Sequence, residues 1–326
     1  MRPESCFALF SALILAATAH GQAPKRDYRA DMRAFVAAIS LKAKAQTPGF
    51  LVVPQGGLEL LTEDAEPDGK LAAAYLGAID GVGQEEVFYG FENVDDRKTP
   101  RPESEAFLKL LDVAKKAGKG VLVTDYATKR PLVDDAYARN KAAGLVGFVA
   151  DRRGLDRIPR YPAKPPGVNT ADVRSFADVK NFLYLIDGGR FETLANYLGA
   201  MARTDHDLLI IDPFSGDWAP TAADIDRLKR KPGGGRRLVL CYLSIGEAED
   251  YRPYWKPAWT KAPPPFLGPE NPDWKGNFSV RYWDSAWRSI ILDGPGSPLG
   301  RILAAGFDGV YLDKVDEYGW FEDHPE

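Results

Sequence analysis

Short apolar, β-rich runs recur along the chain with helix-like segments between them. They fall at Phe50 to Pro54, Ala78 to Val82, Gly120 to Thr124, Val146 to Ala150, Phe182 to Ile186, Leu208 to Ile211, Leu238 to Leu243 and Val310 to Leu312. Helical periodicity covers Arg29 to Ala45, Glu103 to Ala117, Phe191 to Arg203, Thr221 to Lys231 and Ala286 to Ala305, and several of these segments end at glycine, as helices commonly do. Strands that alternate with helices pair in parallel. Repeated β-then-α units of this number predict an α/β protein, a single (β/α)8 TIM barrel. An open doubly wound sheet has the same local alternation, but no Gly-rich phosphate loop follows any strand in the required way. Gly233, Gly234 and Gly235 precede a strand instead and read as a turn.

One stretch breaks the rhythm. Ile158 to Lys180 carries Pro159, Pro162, Pro165 and Pro166 and little apolar periodicity, so it reads as a linker. About half the strands lie on each side, and half a barrel leaves sheet edges and an apolar face exposed. The two halves are therefore expected to complete one barrel: residues 27–162, a Pro-rich linker over 163–180, and residues 181–326.

Composition narrows the partners. The 326 residues are 45% hydrophobic and 27% charged, with a net charge of -4 and a pI near 5.6. That is ordinary for a globular chain and gives no basic footprint for nucleic acid or an anionic membrane surface; a polycationic or neutral ligand fits better. Arg2, the apolar stretch from Phe7 to Ala17 and the small-residue exit near Gly21 have the grammar of a signal peptide over residues 1–21. The chain is thus expected to be secreted or periplasmic, without stable membrane insertion, because the apolar run is too short to span a bilayer. Cys6 lies in the leader, so the mature chain keeps only Cys241, in an apolar run, and forms no internal disulfide.

Barrel enzymes carry their chemistry at the C-terminal ends of strands. Here those ends offer Gln55, Asp80 with Glu85, Asp125 with Tyr126, Asp151, Asp187, Asp212, Glu247 with Glu249, and Asp313 with Asp316. Any one of these acids alone is as readily a helix N-cap. As a set around one mouth they raise one another's pKa, which suits general acid catalysis, and a carboxylate pair is the usual equipment of glycoside hydrolysis. His20, His206 and His324 are the only histidines and assemble neither a zinc site nor a Ser-His-Asp triad. The acids leave an oxygen-ligand cation open, but no loop has EF-hand spacing, and no metal or cofactor is expected. Tyr89, Phe91, Tyr126, Tyr242, Tyr251, Tyr254, Trp255, Tyr282, Trp283, Tyr318 and Trp320 accompany the acids and suit either sugar stacking or ordinary packing.

Three motifs carry a family resemblance: Tyr242-Leu-Ser-Ile-Gly-Glu-Ala-Glu-Asp-Tyr-Arg-Pro-Tyr-Trp255, Gly276-Asn-Phe-Ser-Val-Arg-Tyr-Trp-Asp284 and Gly306-Phe-Asp-Gly-Val-Tyr-Leu-Asp-Lys-Val-Asp316. In them the chain resembles glycoside hydrolase family 114, a TIM-barrel family whose assigned activity is endo-α-1,4-polygalactosaminidase. Gly49 to Gly57, Ala78 to Gly90 and Val121 to Tyr126 look like the family's later strands, so the order of the segments implies a circular permutation. The resemblance implies that Asp313 is the catalytic aspartate. Its partner glutamate falls on Glu85, with Glu86 and Gln84 as alternatives. Asp212, Glu247, Asp125 and Tyr242 look like the family's cleft residues, and Gln55, Tyr126, Tyr282, Trp283 and Asp316 complete the expected substrate-binding set. The implied substrate is a polysaccharide of α-1,4-linked galactosamine type. Two alternatives stay open: a non-catalytic carbohydrate-binding barrel of the cell envelope, and a hydrolase of a different amino-sugar or neutral glycan.

Overall fold

The computed structural model describes residues 26–214 and 216–325; the expected signal peptide lies outside them. Among the described residues the order is α1 (Tyr28–Gln46), β1 (Leu51–Pro54), α2 (Ala73–Ala78), β2 (Gly81–Glu85), α3 (Arg101–Lys116), β3 (Gly120–Tyr126), α4 (Arg130–Ala142) and β4 (Val146–Ala150). Then follow β5 (Phe182–Leu185), α5 (Leu194–Ala202), β6 (Leu208–Ile211), α6 (Ala222–Leu228), β7 (Leu238–Ser244), β8 (Glu247–Glu249), β9 (Leu267–Glu270) and β10 (Asn277–Val280). The chain continues with α7 (Ser285–Leu292), α8 (Pro298–Ala304), β11 (Gly309–Asp313) and α9 (Tyr318–Asp323).

The fold is α/β with two parallel sheets, one ordered β1-β11-β7-β6-β5 and the other β2-β3-β4. First and last strands of the chain pair in register, Leu51 opposite Gly309 and Pro54 opposite Leu312. The two sheets adjoin at β1 and β2 through a parallel bridge between Gln55 and Gly83, with Gly56 N–H donating to Gly83 O at 2.9 Å. At the other junction, where a closed barrel would pair β4 with β5, the two strands form no ladder, and Phe148 meets Phe182 with ring centroids 5.5 Å apart.

Helix α1 shows how the ends of the sequence meet. Asp27 caps it, accepting from Ala30 N–H at 2.8 Å, and Met32, Phe35, Val36, Ile39 and Ala43 form one buried stripe. Full burial of a side chain such as Phe35 or Ile39 stabilises by about 2 kcal/mol. That stripe packs beside the C-terminal helices, where Arg29 pairs with Glu322 at 2.9 Å and Arg288 donates to Asp31 O at 2.9 Å.

Three local readings are corrected. The second strand begins at Gly81 rather than Ala78, and residues 73–78 are helical. Its C-terminal half is not apolar because the inner face there is the candidate site. The helix read over Ala286 to Ala305 is two, α7 and α8, broken at Gly294 and Pro295 and restarted by Ser297, whose hydroxyl accepts from Gly300 N–H at 3.0 Å. After β7 the chain makes an antiparallel sheet, β8-β10-β9, that the apolar pattern did not disclose.

Residues 156–180 hold a single short turn of helix, Phe176–Asp178, yet they are tied down. Side chains on β2 and β3 alternate, so Gly81 and Gly120 share the inner face with Glu85 and Tyr126. Both glycines make room for Phe176: a Cβ on Gly120 would sit 1.9 Å from its ring, and one on Gly81 3.0 Å.

Candidate functional site

Glu85 ends β2 and Asp313 ends β11, on either side of Gln55 at the end of β1. Strand spacing puts the two backbones about 10 Å apart, with both side chains on the inner face. Each carboxylate is gripped by a tyrosine. Tyr126 O–H donates to Glu85 Oε1 at 2.6 Å and Tyr242 O–H donates to Asp313 Oδ2 at 2.7 Å; Lys314 N–H adds a bond to Asp313 Oδ1 at 2.8 Å. Among the described residues no Lys or Arg side chain forms an ion pair with either acid. Burial drives the Glu85 carboxyl up to about 7, against the pull of the Tyr126 hydrogen bond and with a further push from Asp313. The Asp313 carboxyl is also raised, chiefly by burial, and is held back by Tyr242 and Lys314.

Sequence left Glu85, Glu86 and Gln84 open as partners, and geometry separates them. Glu86 pairs with Arg153 at 2.6 Å, and Gln84 turns its amide onto Glu85 O at 2.9 Å. The same Arg153 lies over the Tyr126 ring, 4.2 Å from its centroid, so it steadies the phenol that holds Glu85 without neutralising Glu85 itself.

Beneath the acids, Tyr311 O–H donates to Gln55 Oε1. Only glycine fits opposite, since a Cβ on Gly83 would stand 2.0 Å from that hydroxyl. Gln55 therefore orients Tyr311 and is itself buried.

Beside Asp313, Lys314 adopts a left-handed conformation at φ 57°. Its ammonium pairs with Glu247 at 2.9 Å and lies 3.7 Å from Glu317. Glu247 also accepts from Asn271 at 2.7 Å and Asn277 at 3.2 Å. Glu317 was missed; burial pushes its carboxyl up to about 7 against the attraction of Lys314. Asp316 is exposed at the rim, 3.2 Å from where a Cβ on Gly56 would stand. On the opposite flank Asp212 is bound to Arg252 at 2.7 Å, which reaches Glu249 at 2.6 Å. Arg252 was also missed, although its spacing of three from Glu249 inside the Tyr242 to Trp255 motif is the signal that would have found it.

The segment from β5 to the C-terminus decides the relationship: residues 180–325 match the family model for glycoside-hydrolase family GH114. Residues 180–325 belong to family GH114. Three relatives of this chain are each described only as uncharacterized proteins. One from Deinococcus radiodurans is 43% identical over 129 residues, 39% of this chain and 39% of the relative. One from Methanocaldococcus jannaschii is 41% identical over 128 residues, 38% of this chain and 34% of the relative. A third, from Thermotoga maritima, is 43% identical over 84 residues, 26% of this chain and 25% of the relative. The chain thus spans well under half the length of the curated relatives it matches.

The GH114 segment supplies Asp313, Tyr242, Asp212, Glu247 and Asp316, whereas Glu85, Tyr126 and Gln55 come from residues before it. Three expected binding residues do not join the cleft. Asp125 is fully buried, with Oδ1 accepting from Phe88 and Tyr89 N–H at 2.7 and 3.0 Å and Oδ2 from Asn140 at 2.9 Å. It anchors the loop after β2, and burial holds its carboxyl up at about 6. Tyr282 is also fully buried and donates to Tyr28 O at 2.9 Å. Trp283 packs at a tilt against Tyr28 and edge-on against Phe321, with the Arg26 guanidinium over its ring. Those two rings secure α1, and their aromatic type gave no hint of which face they would take. Asp80, read as a strand end, stands before β2 and pairs with Lys44 at 2.9 Å. Among the described residues no group of three or more His, Cys, Asp or Glu side chains is placed to hold a metal ion, and no helix is long and apolar enough to cross a membrane.

Proposed function

We propose that the chain is an exported glycoside hydrolase acting on α-1,4-linked galactosamine-type polysaccharide, with Glu85 and Asp313 as its acid pair. The observation that carries this reading is the pair itself. Two carboxylates from opposite halves of the chain reach one inner face, each held by a phenol and neither matched to a cation. A carboxyl near 7 keeps its proton around neutrality, so Glu85 serves as the general acid that protonates the glycosidic oxygen. Asp313 accepts two hydrogen bonds that favour its charged form. It acts as the nucleophile or as the base that activates water.

Both sheets form one closed barrel in this reading, with the segment order permuted relative to family GH114. The pairing of β1 with β11 and the seat of α1 beside the C-terminal helices support it. Glu247 and Asp316 at the mouth carry more negative charge than Lys314 offsets, with Glu317 adding to it only once deprotonated, which favours an ammonium-bearing sugar. That preference weakens as salt screens it.

Reducing-end release from α-1,4-linked galactosamine polymer tests the proposal, with wild type compared against folded Asp313→Asn and Glu85→Gln. Turnover by wild type and its loss in both variants is the expected result. No turnover of this polymer, of other amino-sugar polymers or of neutral glycans overturns the hydrolase; binding without turnover points to a carbohydrate-binding barrel.

A further inference from the structure

We infer that Tyr184 presents its hydroxyl to the sugar held between Glu85 and Asp313, an inference that rests on the hydrolase reading. Tyr126, Tyr184, Tyr242 and Tyr311 come from β3, β5, β7 and β11 and are 3%, 2%, 8% and 0% exposed. Three of the hydroxyls are committed within the protein: Tyr126 to Glu85, Tyr242 to Asp313 and Tyr311 to Gln55. The Tyr184 hydroxyl has no hydrogen-bond partner among the described residues, and its oxygen is not among the sealed polar atoms left unpartnered. Its small exposed area therefore belongs with an atom that looks into the cleft.

Position supports the assignment. The Tyr184 ring lies edge-on to Tyr311, with centroids 5.1 Å apart and planes at 62°. Tyr311 in turn lies on β11, two residues before Asp313 and on the same face. Burial first, then the charges of Asp313 and Glu85, hold the Tyr184 phenol well above its ordinary range, so it remains a donor at every working pH. A phenylalanine would fill the same space and spare the cost of an unpaired hydroxyl, about 1–3 kcal/mol when buried. The oxygen earns its place only if something entering the cleft accepts its proton, and a sugar spanning the two acids is rich in acceptors.

The test compares wild type, Tyr184→Phe and Tyr184→Leu on α-1,4-linked galactosamine oligomers. Tyr184→Phe is expected to unfold at or above the wild-type temperature, since no internal hydrogen bond is lost, and to lose about ten- to a hundred-fold in kcat/KM, the range for one hydrogen bond to a substrate. Its alkaline pH limb should not move, because Tyr126 still holds Glu85. Tyr184→Leu should lose thermal stability as well, since it removes the ring from Tyr311. Wild-type kcat/KM in Tyr184→Phe, with wild type active, overturns this inference alone. A wild type that turns over no glycan overturns the hydrolase reading and this inference with it.

Discussion

Acids stand at both ends of the parallel strands and are held in opposite ways. At the N-terminal ends, Asp80 accepts from Val52 N–H at 2.8 Å and pairs with Lys44 at 2.9 Å. Asp207 accepts from Lys180 N–H at 3.0 Å and pairs with Lys231 at 2.8 Å. Asp308 accepts from Val239 N–H at 2.9 Å and pairs with Lys229 at 2.9 Å. Each staples the start of its own strand to the neighbouring chain. At the C-terminal ends Glu85 and Asp313 receive phenols in place of ammonium groups. At Glu85 and Asp313 burial raises the affinity for a proton, and the phenol bonds offset it only in part. The partner, rather than the acid, separates the strand staples from the proposed acid pair.

Removing either phenol-held acid should produce the largest effect. Glu85→Gln and Asp313→Asn are expected to lower kcat/KM by about 10²- to 10⁴-fold with folding intact; retained turnover in either would end the assignment of that residue. Next comes the buried staple. Asp207→Ala strands Lys231, which is 1% exposed as a side chain, and should cost about 3–5 kcal/mol in urea unfolding. A loss near zero would mean the pair fastens nothing.

Stability against pH sharpens the contrast further. The folded pKa of Glu85, about 7, lies above its ordinary 4.5. Folded protein therefore binds more protons than unfolded across that interval. The stabilising contribution is complete below pH 4.5 and is lost as pH rises through 7. Glu85→Gln should consequently melt above wild type at pH 8 and match it near pH 4.5, while its activity is gone; parallel melting curves at both pH values would contradict the raised pKa. Smaller still, Tyr126→Phe removes the donor that lowers the Glu85 pKa and should move the alkaline limb of the rate profile upward by up to about one pH unit. The smallest effect belongs to Lys44→Ala, whose pair with Asp80 is partly exposed at 31% and 27%; a loss of about 1 kcal/mol or less is expected.

The strands were legible because apolar runs are what an inner sheet needs, and Val146 to Ala150 or Leu208 to Ile211 appear where the pattern put them. The apolar pattern places strand β2 over Ala78 to Val82 instead of Gly81–Glu85 because Gly83, Gln84 and Glu85, at the candidate site, break the apolar run. The antiparallel excursion of β8, β9 and β10 has short strands with polar members such as Glu249 and Asn277 paired together, which periodicity does not distinguish from loop. Among the expected site residues, Asp313 ends β11 and Asp212 directly follows β6, as position along a strand predicts, while Tyr242, taken from the resemblance, lies within β7. Position could not say that Asp125, one residue before Tyr126, would turn to the opposite side, though the alternation of a strand requires that neighbours do so.

Phe176 gives the connection between the halves a second duty. Seated over Gly81 and Gly120, it covers the start of the inner face of β2 and β3, the face that carries Glu85 and Tyr126 at its other end. A protease nick in that strap would do more than cut a covalent joint. It would free Phe176 from its seat on Gly81 and Gly120 and open that end of the inner face to solvent.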